Sequence, residues 1–516
     1  MLGLALHLML AVADAPPVRI GTISIKAIPL FSAEEASQGS FYRGANALAV
    51  RTRVAFLRRF LLFKEGDPFN PTKLQETERN LRQFDFLKSA SVTATPPHDG
   101  VVDVAVVTQD AWTTNVNADF SNDGGIAAYD FDVTQEDLFG TGSELELQLD
   151  HGVERRANSI RFFHPAVLGP YWNLHALLSK NSDGNEEKLQ LDRPLYSYST
   201  PWTMSFLYDH DLRNARYFRE GQVAARFRQE HREWLLERSR VLHAGPTGSS
   251  RLVAGIDLLD DSFEPLPSRP LDLIPDSRHF RVLQVGYDST GFRYLKLDYV
   301  DHDLREQDFN LGRQISVRIG ASPRISSTRP AFLLFRGSES AGFEFSDRSF
   351  LLSRIDVSTR APHDRNTIVS AESRFVSRFR TRYPQSFVSR IRIDSGWQLD
   401  RDVQFLADGQ NGLRAYPDFA FEGRKRLLFN VEHRLFLGRE IMQLFGPGVA
   451  VFADSGQAVD RNFRLAGMRT DVGVGLRFGI ARYDAALVRI DFAYALNNSP
   501  LSRRGPVISV STVQAF

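Results

Sequence analysis

Apolar and polar residues follow two rhythms along this chain, and the change comes near Trp112. In the first part, period-two and helical spacings take turns. Residues 18–25 (VRIGTISI) alternate as a strand does, whereas residues 52–63 (TRVAFLRRFLLF) repeat apolar side chains at helical spacing. The cluster Glu65-Gly66-Asp67-Pro68-Phe69-Asn70-Pro71 reads as a turn that places Asn70 at a helix N-cap and Pro71 at the first helical position. It predicts a second helix from Thr72 to about Gln83, with Leu74, Leu81 and Phe84 along its stripe. Two strands follow, 89–95 and 101–107, joined through Pro96-Pro97-His98-Asp99-Gly100. The order β-α-α-β-β describes one small α+β domain over residues 14–112.

After Trp112 strict alternation takes over. Leu145, Leu147 and Leu149 share one face of residues 143–150, with Glu144, Glu146 and Gln148 on the other. Ile315, Val317 and Ile319 alternate with Ser316 and Arg318, and Ile391 and Ile393 with Arg390, Arg392 and Asp394. Val472, Val474, Leu476 and Phe478 share a face, as do Val488, Ile490, Phe492 and Tyr494 opposite Arg489 and Asp491. A charged residue at every second position would be costly inside a soluble sandwich, whose inner faces must be dry. In a transmembrane barrel the apolar residues meet lipid and the charged ones line a wet lumen. Residues 113–516 are therefore expected to form an all-β transmembrane barrel of about 16 antiparallel strands, at roughly 25 residues per strand with its connection. Residues 216–240 carry dense mixed charge that could suit an amphipathic helix. Lumen-facing strand positions and a polar loop are the preferred reading of that segment.

Composition narrows the partners. Lys plus Arg number 63 against 62 Asp plus Glu, a formal charge of +1, which disfavours nucleic acid. Mean hydropathy is −0.26 although 42% of residues are apolar, as fine interleaving requires. Cysteine is absent, which excludes disulfides, Cys-based zinc sites and thiol chemistry. Residues 1–13 are almost wholly apolar and end in Ala11-Val12-Ala13, which predicts a signal peptide cleaved after Ala13. No later stretch of ~18 apolar residues suggests a transmembrane helix. Ser338-Glu339-Ser340-Ala341-Gly342 misses a nucleophile elbow by its first glycine, and no His-x-x-x-His pair occurs. Asp260 and Asp261 are expected in a polar loop facing water. Neither an enzyme nor a cofactor or metal is predicted.

The run Glu65-Gly66-Asp67…Leu74…Thr77-Glu78…Leu81-Arg82…Phe86-Leu87…Asp99-Gly100-Val101-Val102-Asp103-Val104, in its β-α-α-β-β order, resembles a POTRA domain. POTRA domains belong to the surface-antigen superfamily of Gram-negative outer-membrane barrels that assemble or translocate proteins, which includes the central subunit of the barrel-assembly machinery. The C-terminal third carries a more specific likeness. Gly412-Leu413-Arg414-Ala415-Tyr416-Pro417 resembles the family's Arg-Gly-aromatic signature on a long loop folded back into the lumen. Ala415 stands where glycine is usual, which questions that position's freedom to take a positive φ. Val431-Glu432-His433-Arg434, Val451-Phe452-Ala453-Asp454-Ser455-Gly456, Gly473-Val474-Gly475-Leu476-Arg477 and Arg489-Ile490-Asp491-Phe492-Ala493 are similar to the strands that follow, in order. Glu136-Asp137-Leu138-Phe139-Gly140-Thr141-Gly142 resembles the turn after the first barrel strand, and the chain ends in Phe516, as outer-membrane barrels commonly do.

The resemblance implies roles for these residues. Arg414 would be a lumenal lock, its guanidinium held by Glu432 and Asp454 in a forked, charge-assisted contact. Gly456, Gly473 and Gly475 would let the loop or the Tyr416 ring approach the wall. Arg489 and Asp491 belong to the strand motifs, and Phe516 would be the C-terminal assembly signal. The implied function is an accessory factor that receives unfolded polypeptides at a periplasmic POTRA domain and inserts them at the barrel seam. The alternative is a transport pore, either a two-partner-secretion-like translocator or a porin. A porin has no need of the N-terminal domain, and secretion translocators carry two POTRA domains and a plug helix where only one domain is readable here. Expected partners are outer-membrane lipid, unfolded outer-membrane or secreted polypeptides, and periplasmic or lipoprotein subunits.

Overall fold

The computed structural model describes residues 18–123, 126–152, 155–266, 273–301, 306–324, 331–362, 366–437, 445–480, 487–497 and 505–511. The expected signal peptide (1–13) and Phe516 lie outside them. The N-terminal domain comprises β1 (Arg19–Ile28), α1 (Ala33–Ser37), α2 (Ser40–Leu48), α3 (Val54–Arg59), α4 (Pro71–Arg82), β2 (Leu87–Ala94) and β3 (Val101–Asp110). β3 lies centrally, parallel to β1 and antiparallel to β2. Asn70 caps α4, its Oδ1 accepting the Thr72 N–H at 2.9 Å. α3 is shorter than the 52–63 pattern predicts. α1 and α2 have no counterpart in the sequence reading: α1 is a five-residue turn, and neither helix buries a residue in the domain's core. Ile20, Phe56, Leu57, Phe60, Leu81 and Val106 form the domain's core.

The chain then builds β4 (Thr114–Asp123), β5 (Ile126–Leu138), β6 (Ser143–His151), β7 (Arg156–His164), β8 (Asn173–Asn181), β9 (Gly184–Arg193) and β10 (Trp202–Arg219). β11 (Gln222–Gly245), β12 (Gly248–Pro265), β13 (Arg278–Gly291), a small hairpin of β14 (Tyr294–Leu297) and β15 (Gln307–Asn310), and β16 (Gln314–Ser322) follow. Next are β17 (Phe332–Ser346), β18 (Ser349–Ala361), β19 (Thr367–Phe379), β20 (Gln385–Trp397), the two-residue strands β21 (Phe405–Leu406) and β22 (Glu422–Gly423), and β23 (Lys425–Phe436). β24 (Phe445–Val459), β25 (Arg469–Ile480), β26 (Leu487–Ala495) and β27 (Val507–Ser511) complete the wall.

Apart from β14–β15 and β21–β22, these strands pair antiparallel in sequence order and close into one barrel, β27 meeting β4. Twenty strands line it among the described residues, not about sixteen. The lower figure assumed longer connections. Pairs such as β8–β9, β10–β11, β11–β12 and β17–β18 are joined by only two residues, so more spans fit the same length.

The two faces of the wall differ as alternation requires. Leu147, Leu149, Leu283, Val285, Ile319, Leu333, Ile355 and Val474 stand exposed on the outside, while Asp257, Asp394, Glu432, Arg434, Arg477 and Asp491 are buried within. Residues 216–240 form facing parts of β10 and β11 rather than a helix. Asp260 and Asp261 lie on β12, not in a water-facing loop. Asp261 is buried against Arg278 (2.8 Å) and His231 (2.7 Å), and Asp260 pairs with Arg281 (2.9 Å) and His279 (2.6 Å). Their cations come from the neighbouring strands β11 and β13, which the local sequence around 260 does not record. Ser340, in the near-elbow, sits within β17.

The N-terminal domain docks on the near end of the barrel, here called the inner mouth. The Arg53 N–H donates to the Gly140 carbonyl (3.1 Å), and the Tyr171 hydroxyl to the Phe60 carbonyl (2.6 Å). Asn80 Nδ2 donates to the Tyr196 carbonyl at 2.8 Å. Glu76 accepts the Tyr198 N–H at 2.5 Å.

Candidate functional site: a charged latch in the lumen

The connection between β20 and β23, residues 398–424, turns back into the barrel. Its tip is organised by Asp408, whose carboxylate accepts the N–H groups of Asn411 (3.0 Å) and Phe419 (2.8 Å) while its carbonyl accepts that of Leu413 (2.8 Å). This curled tip presents Arg414 to the wall. Arg414 Nε and Nη2 fork onto Asp454 (2.7 and 3.1 Å), and Nη1 donates to Glu432 (2.8 Å) and Asp491 (3.1 Å). Its guanidinium carbon lies 3.4 Å from the centre of the Phe452 ring.

The carboxylates are shared. Glu432 also accepts Arg434 Nε and Arg477 Nη2, both at 2.9 Å, and Asp491 accepts Arg477 Nη1 at 2.6 Å. Arg489 Nε stands 3.5 Å from Asp491, and Asp471 faces Asp454 across the β24–β25 ladder. Four arginines (414, 434, 477, 489) thus meet four acidic residues (432, 454, 471, 491), all buried but the partly exposed Arg489. Buried charges are tolerated at such density only when each is paired and hydrogen-bonded.

Glycines make room for this packing. A Cβ at Gly475 would lie 2.2 Å from Asp491 Oδ1, and one at Gly473 2.2 Å from the Phe452 ring that carries Arg414. At Gly456 it would meet Leu428 at 2.6 Å. Tyr416 is fully buried with Leu413 and Leu428, and its hydroxyl donates to the Thr470 carbonyl at 3.1 Å. Ala415 needs no glycine: the positive φ falls at Gly412 (112°), while the Ala415 methyl packs with Phe452 and Ala493. The structure therefore brings Arg414, Tyr416, Glu432, Asp454, Gly456, Gly473, Gly475, Arg489 and Asp491 together.

Sequence reasoning missed the loop's other anchors. Phe419 stacks on Phe218 at 4.2 Å, Glu422 accepts the Glu220 N–H at 2.5 Å, and Gln404 Nε2 donates to the Phe218 carbonyl at 2.7 Å. Arg278 donates to Asp400 (2.5 Å) and Asp402 (2.9 Å), and Arg360 to Asp400 (2.6 Å). These contacts tie the loop to β10, β13 and β18, so it crosses the outer mouth. They join positions more than a hundred residues apart in several cases, and no local spacing marks them. The arrangement is a reversible, non-covalent latch.

A second polar cluster joins the domain to the barrel. Thr52 Oγ1 donates to Asp137 Oδ2 at 2.9 Å, and Thr52 also hydrogen-bonds Asp110. Burial foremost, aided by the Asp137 charge, pushes the Asp110 carboxyl up to about 6 against the hydrogen bonds from Thr52. Beside this junction opens a cavity of about 510 Å³ lined by Phe84, Phe163, Tyr171, Tyr196, Tyr294 and Glu144, among others.

No protein-family model and no curated protein sequence matches this chain. Among solved structures, it is similar to CdiB from Acinetobacter baumannii at 14% identity and a TM-score of 0.48, over 96% of this chain and 73% of that one. CdiB from Escherichia coli gives 11% and 0.48, over 96% and 76%. BamA from Haemophilus ducreyi lacking POTRA domains 1–3 gives 11% and 0.39, over 95% and 85%. Likeness of this extent assigns no activity to the chain.

Proposed function

We propose that the chain is an outer-membrane barrel that accepts unfolded polypeptides at its N-terminal domain and inserts them into the membrane at its seam, in an accessory role. The membrane reading rests on the exposed Leu, Ile and Val positions around the wall, which in water would leave a large apolar belt unsatisfied. Charged, paired residues on the opposite face suit a wet interior. The N-terminal sheet with helices packed on it is read as a POTRA domain, whose edge strands β1 and β2 offer backbone groups to an extended client. The ring-lined cavity at the junction would receive that client before it reaches the wall.

The observation that carries the insertion reading is the closing pair. β27 and β4 are barrel neighbours with no turn between them, so they can part without disturbing any connection. Among the described residues they pair only at Ser509–Ser121 and Val510–Phe120. Parted strands would expose N–H and C=O groups that must be satisfied in lipid, and an incoming strand can satisfy them.

A disulfide across this pair tests the reading. The chain has no cysteine, so Ser121→Cys with Ser509→Cys introduces the only thiols. Oxidised, this variant should lose client insertion in reconstituted vesicles and recover it on reduction. Full insertion by the oxidised form would overturn the proposal. Retained export of a polypeptide through the oxidised barrel would support the pore alternative instead.

A further inference from the structure

The inner mouth carries a connection longer than its neighbours, residues 292–313, whose two arms are β14 and β15. Residues 298–301 turn from this hairpin into the lumen. Val300, Leu297 and Leu311 are buried there against Phe350, Val376 and Val388 of β18, β19 and β20. Asp298 accepts Arg378 Nε at 3.1 Å, and Asp301 accepts Arg374 Nη1 at 3.3 Å. The wall is cut to fit: a Cβ at Gly342 would lie 2.6 Å from Leu311 Cα.

Each side of this loop touches something that matters. Outward, α4 of the N-terminal domain grips the hairpin. Arg82 forks onto Asp308 (Nε 3.0 Å, Nη2 3.1 Å), Lys296 reaches Glu78 at 3.4 Å, and the Arg79 guanidinium lies 4.0 Å above the Tyr294 ring. Inward, the Val300 carbonyl accepts Arg434 Nη1 at 2.6 Å. Arg434 Nε then donates to Glu432 Oε1 at 2.9 Å, and Glu432 Oε2 accepts Arg414 Nη1 at 2.8 Å. One carboxylate thus joins a loop held by the N-terminal domain to the loop that crosses the outer mouth.

We propose that residues 292–301 and 306–313 form an inner plug through which the N-terminal domain controls the Arg414 latch. When the domain shifts, α4 draws the hairpin with it and the Val300 carbonyl leaves Arg434. Water then enters beside Arg434 and Glu432, which are fully buried while the plug is seated. The higher local dielectric weakens the ion pairs around Glu432, and the outer loop is released. Domain movement at one mouth thereby opens the other.

Thiol labelling of the full chain in lipid vesicles tests it, again without background cysteine. Val300→Cys and Leu413→Cys, both at fully buried positions, report the inner plug and the outer loop. Breaking the domain's grip with Arg82→Ala should speed maleimide labelling at both probes by about tenfold, as loss of a forked, partly buried ion pair suggests. Asp308→Asn, which leaves α4 intact, should give the same two increases and add little to Arg82→Ala. Faster labelling at Val300 with no change at Leu413 would overturn the coupling. No change at either probe, in barrels that still shift mobility on boiling, would overturn the plug as well.

Discussion

Removing the Arg414 guanidinium should open the outer loop without unfolding the barrel. Arg414→Ala deletes four hydrogen bonds, but the acidic residues are not equally stranded. Glu432 keeps Arg434 and Arg477, and Asp491 keeps Arg477. Asp454 loses both of its bonds from Arg414 and retains the neutral Asn430 amide at 2.8 Å. Removing one partner of a buried pair typically costs ~3–5 kcal/mol; with one stranded carboxylate near a wet lumen, ~3 kcal/mol is the appropriate end. That equals about 150-fold in the ratio of open to closed loop. Maleimide labelling of Leu413→Cys should therefore accelerate by about that factor. Arg414→Lys, which keeps the charge but loses the fork, should fall between. Adding Asp454→Asn to Arg414→Ala should slow labelling again, since the stranded charge is gone. A rate for Arg414→Ala within twofold of the parent, in a barrel that still migrates as folded, would refute the latch.

Three further outcomes follow from the same geometry. Gly473→Val should displace the Phe452 ring, on which Arg414 rests, and press on the Phe492 carbonyl of β26, raising Leu413→Cys labelling at least tenfold while the β24–β25 ladder persists. Glu432→Gln removes the negative charge that three arginines share and one of its two acceptor oxygens, and should prevent recovery of a folded, heat-modifiable barrel after refolding; normal yield would contradict its central place. Asp110→Asn should stabilise the domain junction at neutral pH. A carboxyl raised from 3.8 to about 6 costs nothing below the lower value, and its penalty grows as pH rises through that window to ~3 kcal/mol above it. The stabilising effect should accordingly be present at pH 8 and vanish near pH 4, as read by hydrogen exchange of the β3 amides in the detergent-solubilised chain.

Much of this protein is written in local pattern. Alternation alone determined that residues after Trp112 form strands with one apolar and one charged face, because a side chain's face depends only on its parity along the strand. Asn70 and Pro71 placed the start of α4, since capping is satisfied within one turn. The order of the short motifs pointed to Arg414, Glu432 and Asp454, whose residue types demand one another when buried. Only the tertiary structure decided the rest. The strand count depends on turn lengths that composition does not record. The bridging of Phe419 to Phe218 and the seat of Val300 beside Arg434 depend on which strands become neighbours once the wall closes. A charge can be read from the chain, but its partner is chosen by the closed cylinder, which sets residues 134 positions apart at hydrogen-bonding distance.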